Sequence, residues 1–105
     1  MFEASFSLML ADNNVDKDDI YYVSGHCFRS VSCLNQVLFA LNEEYCINEK
    51  KAIKLIDSFK IKPQDYKIRI DEIITLISLD RDNTIKAVDI LKGLVNETKS
   101  LIENK

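Results

Sequence analysis

One histidine and three cysteines, His26, Cys27, Cys33 and Cys46, are the material this sequence offers for nucleophilic catalysis. On a helix, residues 26 and 27 point about 100° apart, and residues 26 and 33 stand two turns apart along the axis. Neither pairing gives the hydrogen-bond contact a thiolate nucleophile needs from its base. The cysteines show no C-x-x-C spacing, so with a single histidine they make no zinc pattern. They read as small apolar packing residues in a reducing, cytoplasmic setting. Carboxylates are paired at Asp16-Lys17-Asp18 and at Glu43-Glu44. The first has the Asp-x-Asp spacing that holds magnesium in phosphoryl transfer. No Gly-Ser phosphate loop precedes it and no strand would present it, so with Asp19 it reads as turn and cap chemistry. A last constellation is Arg29, Gln36 and Glu43, spaced by heptads on one polar stripe, with Asn42 at its edge. It admits two readings: a groove that a ligand or partner domain completes, or a solvated face with Asn42 hydrogen-bonded to a neighbouring loop.

These side chains need a long helix to position them, and residues 18–45 supply its pattern. At about 100° per residue, Ile20, Cys27, Val31, Leu34, Leu38, Leu41 and Tyr45 fall on one side. Tyr22, Gly25, Arg29, Ser32, Gln36 and Glu43 fall on the other. Asn35 and Asn42, a heptad apart, sit at the apolar edge. Such a helix would run roughly 40 Å over about 28 residues and form the spine that other segments cover.

Around it, residues 2–12 predict a helix with Phe2, Phe6, Met9 and Leu10 on its buried face. Asn48 is placed to cap a short third helix, with Glu49 in its first turn and Ala52, Ile53, Ile56 and Phe59 as its stripe. Pro63 suits the first turn of a fourth helix, buried through Tyr66, Ile70, Ile73, Ile74 and Ile77. Asp80 to Asn83 break the chain before a last helix carrying Ile85, Val88, Leu91, Leu94, Val95, Thr98, Leu101 and Ile102. With two glycines and one proline there is little turn chemistry for a β fold. Short links between long helices predict an all-α, up-and-down antiparallel bundle of four to five helices, one domain over 1–105.

Apolar residues make up 47% and charged residues 30%, the balance of a soluble globular domain. A net charge of −3 excludes the broadly basic face of a general nucleic-acid binder. The local lysines, Lys50, Lys51, Lys54, Lys60, Lys62 and Lys67, read as a solvated face among acids. No apolar run reaches membrane-spanning length. Helical ribonucleases of the HEPN type carry an arginine followed by a histidine; His26 precedes the first arginine, Arg29, so that site cannot form.

The stretch YYVSGHCFRSVSCLNQVLFALNEEYCINEKKAI resembles the C-terminal helical domain of a family of nucleotidyltransferases related to kanamycin nucleotidyltransferase. The likeness starts with FEASFSL, rests on Arg29, Leu38–Tyr45 and Asn48-Glu49-Lys50, and loosens after about Ile70. It implies a bundle of the kanamycin nucleotidyltransferase C-terminal type that holds a small-molecule acceptor. A separate N-terminal domain, in cis or in trans, would carry Mg²⁺ and a nucleoside triphosphate. The implied acceptor-binding residues are Arg29, Gln36, Asn42, Glu43, Asn48, Glu49 and Lys50, with Glu43 or Glu49 as the general base. It further implies that the chain, inactive alone, is the C-terminal part of a longer protein. The alternative is a stand-alone module that dimerises or partners a separately encoded nucleotidyltransferase.

Overall fold

The structure is a computed structural model and describes residues 1–14, 20–45, 51–77 and 81–104. These residues form five helices and no strand: α1 (Phe2–Asn14), α2 (Ile20–Leu41), α3 (Ala52–Asp57), α4 (Tyr66–Leu76) and α5 (Arg81–Glu103). The elements pack into a body of 39 × 25 × 21 Å. Helix α2 meets α1, α3 and α5 and reaches α4 through a hydrogen bond from Tyr66 to Asn35. The expected spine is therefore present, at 22 residues and about 33 Å.

Its buried side is Val23, Cys27, Val31, Leu34, Leu38, Phe39 and Leu41, while Gly25, Arg29, Ser32 and Gln36 face out. Tyr45 departs from the expected stripe and is 90% exposed. The helix stops at Leu41, and the turn that follows rotates the chain off the helical period.

Helix α1 reverses its expected face. Phe2 and Met9 are exposed, and Phe6 largely so, whereas Ala4, Ser7, Leu8 and Ala11 are buried. The reason is close approach to α2. The Ser30 hydroxyl donates to the Ala4 carbonyl at 2.8 Å, a contact that requires the two backbones to lie side by side. Only small residues permit that. Phenylalanines at the seam would hold the helices apart, so Phe2 and Phe6 stack on each other outside it. With the Cys33 thiol directed at Glu3, the pairing runs antiparallel.

The α3–α4 segment follows its pattern more closely. Ala52, Ile56, Tyr66, Ile70 and Ile73 are buried, and Ile53, Phe59 and Ile77 pack partly against them. Two details differ. Pro63 is buried but precedes α4, because Asp65, in a left-handed conformation at φ 54°, forms the N-cap. Ile74 is 49% exposed, since α4 buries only the Tyr66–Ile70–Ile73 line and packs mainly against α5 and α3. On α5 the face Ala87, Val88, Leu91, Leu94, Val95 and Thr98 closes the core. Gly93 lies under the Arg69 guanidinium, which pairs with Glu97 and so ties α4 to α5. Lys92 ties α5 to Asp12 of α1 at 3.1 Å.

Candidate functional site

The polar stripe of α2 ends in a turn built without glycine. The Glu44 amide donates to the Phe39 carbonyl at 2.9 Å and the Glu43 amide to the Ala40 carbonyl at 3.1 Å. This is the Schellman pattern, which wants a left-handed residue at the position held by Glu43. Glu43 accordingly has φ 57°, a conformation that costs a side chain with a Cβ about 1 kcal/mol. Both carboxylates also stand at the negative end of the α2 dipole, where cations are favoured. Neither side chain has a partner among the described residues.

Two grooves flank this turn. One, about 440 Å³, is lined by Gln36, Phe39, Ala40, Glu43, Glu44 and Tyr45. The other, about 500 Å³, lies between the same turn and the α3–α4 link, with Asn42, Lys60 and Ile61 in its wall. The structure thus brings Gln36 and Glu43 to one groove, joined by Glu44 and Tyr45. Arg29 is not part of it: it lies further up α2, near Cys33. Asn48, Glu49 and Lys50 fall outside the described residues, as do Cys46 and the Asp16–Asp19 acids.

Asn42 is engaged within the fold. Its Nδ2 donates to the Leu38 carbonyl at 2.8 Å and the Ile61 carbonyl at 2.7 Å. Its Oδ1 accepts from the Ile61 amide at 3.0 Å. Both backbone groups of Ile61 are therefore paired by one side chain, the role the loop reading assigned to it. Sequence reasoning did not place Tyr45 at the site, and met Glu44 there only as an acidic neighbour of Glu43 in the carboxylate doublet.

The thiols are chemically quiet. Burial pushes Cys27 from 9.0 up to about 11. Burial, and then the neighbouring Glu3 carboxylate, raise Cys33 as well. Neither is a thiolate near neutral pH. His26 packs edge-on against Tyr22, ring centroids 4.4 Å apart, within its own helix. Among the described residues no three of His, Cys, Asp and Glu converge to hold a metal, and no helix is long and apolar enough to cross a membrane. Compared with protein-family models, curated proteins and solved structures, the chain matches none.

Proposed function

We propose that this chain is a helical acceptor-binding domain of the kanamycin nucleotidyltransferase C-terminal type, working beside a nucleotidyltransferase domain that carries the Mg²⁺ and the nucleoside triphosphate. Its acceptor is a small cationic molecule. The observation that carries the reading is the groove at the end of α2, where Gln36, Glu43 and Glu44 converge with Tyr45. Two unpaired carboxylates at the negative end of a helix suit an amine, and an exposed aromatic ring adds a face for the same charge. Glu43 holds its position in a strained backbone where glycine would be easier, so the fold does not explain the choice of a carboxylate there.

Titration of a polyamine or an aminoglycoside by calorimetry tests this. Wild type is expected to bind, more weakly as salt rises, and Glu43→Gln to lose roughly tenfold, the worth of one charge-assisted hydrogen bond. Glu43→Gly should lose the same affinity while gaining about 1 kcal/mol in stability by relieving the left-handed strain. Equal affinity for wild type and both variants removes Glu43 from the site. A nucleotide-transfer assay on this chain alone should show no turnover.

A second reading, a module that dimerises or partners a separately encoded nucleotidyltransferase, is favoured by the exposed Phe2–Phe6–Met9 face of α1. Sedimentation of wild type and a Phe2→Ser/Phe6→Ser variant would distinguish it. A concentration-dependent dimer lost in the variant supports it, and a monomer throughout the micromolar range counts against self-association.

A further inference from the structure

A separate groove of about 200 Å³ opens between α2, α3 and α4. Its walls are apolar: Phe28 and Val31 from α2, Ile53 from α3, and Ile70, Ile73 and Ile74 from α4. The polar side chains lining it are Ser32, Asn35 and Gln36, and no charged residue lines it. Asn35 is only 9% exposed. Its Oδ1 accepts the Tyr66 hydroxyl at 2.7 Å. Tyr66 is fully buried and has no other acceptor among the described residues, so its O–H must donate to Asn35. That fixes the carboxamide, with oxygen toward the phenol and nitrogen away from it. The Nδ2 group takes no partner among the described residues, yet it is not among the sealed, partnerless polar atoms. Its remaining access is through the groove that Asn35 lines.

We propose that this groove is a binding site for a small, neutral, ring-sized apolar molecule carrying one hydrogen-bond acceptor, such as a carbonyl, which the Asn35 amide receives. The size follows from the volume, because a 150 Å³ apolar cavity already accommodates benzene. The neutrality follows from the lining. A carboxylate or an ammonium would lose its hydration against six apolar side chains with no counter-charge to replace it. The acceptor follows from Asn35, whose two donors are otherwise left to water in an apolar cleft. The site does not depend on the acidic groove at the end of α2; Gln36 is the residue the two share.

A matched pair of probes tests it: acetophenone, and α-methylstyrene, which replaces the carbonyl oxygen with CH₂ at nearly the same shape. Binding to the full chain is followed by ¹H–¹⁵N and methyl NMR. Acetophenone is expected to bind saturably and at least fivefold more tightly, shifting the Asn35 side-chain NH₂ resonances together with the Ile70 and Ile73 methyls. Ile74→Trp, at the exposed rim, should block both probes without disturbing the core. Tyr66→Phe, which frees the carboxamide that the phenol holds, should reduce the preference for acetophenone. Equal affinity for the two probes, unmoved Asn35 resonances, binding that survives Ile74→Trp, or no saturable shift up to the solubility of acetophenone would each overturn the proposal.

Discussion

Replacing Asn42 with alanine is expected to destabilise the fold by about 3 kcal/mol, a large share of the roughly 5–15 kcal/mol that holds a domain of this size together. Three hydrogen bonds are lost, each worth about 1 kcal/mol net. The greater harm is to Ile61, whose N–H and C=O would both be left unpaired beside the end of α2. Asn42→Asp should be nearly as damaging. It keeps an acceptor for the Ile61 amide but turns carboxylate oxygen toward the Leu38 and Ile61 carbonyls. Urea unfolding at constant m-value measures both effects. A loss below about 1 kcal/mol for the alanine variant would show that the link is held elsewhere.

The second large effect is alkaline. Cys27 is raised from 9.0 to about 11, and burial raises Tyr66 above its ordinary 10.0. In the folded chain both groups keep their protons beyond the pH at which the unfolded chain releases them. Below pH 9 each is neutral in both states and stability is flat with respect to them. Between pH 9 and 11 the unfolded state binds fewer protons, so stability falls as pH rises, by up to about 1.4 kcal/mol per unit for Cys27 alone. Above pH 10 Tyr66 steepens the decline. Unfolding free energies measured from pH 7 to 10.5 should therefore fall by about 3 kcal/mol. Cys27→Ala, though less stable throughout, should lose most of the slope that begins near pH 9, the remainder belonging to Cys33. A Cys27→Ala profile parallel to wild type would mean that other groups govern alkaline unfolding.

The helical class and the burial of α2, α4 and α5 were legible because those helices have wide apolar stripes facing several neighbours. Cys27, Leu34 and Leu38, or Leu91 and Leu94, could face only one way. Helix α1 was not legible for the opposite reason. Its apolar residues are spread around the helix, so the bulkiest of them, Phe2, Phe6 and Met9, suggested the wrong face, and the deciding fact was a close approach to Ser30 on a distant part of the chain. The end of α2 was overestimated because Asn42 and Glu43 carry no glycine signal. The turn there is fixed by a bond to Ile61, nineteen residues away, which local reading does not see. At the candidate site, the Gln36–Glu43 stripe could be read from spacing. Tyr45 could not, because it joins the stripe only once the helix has ended.

Asn35 and Asn42 have a consequence for how the chain finds its arrangement. The surface that α3 and α4 offer to the rest of the bundle is dominated by isoleucine, at Ile53, Ile56, Ile70 and Ile73. Repeated identical side chains fit almost as well after sliding by one helical turn, about 5.4 Å, so apolar packing alone leaves several alignments close in energy. The two asparagines remove that degeneracy. One meets the phenol of Tyr66 and the other the backbone of Ile61, and a slide in either direction strands both at once. They act as two pegs on a rule, a heptad apart, and the hairpin drops onto the spine at a single mark.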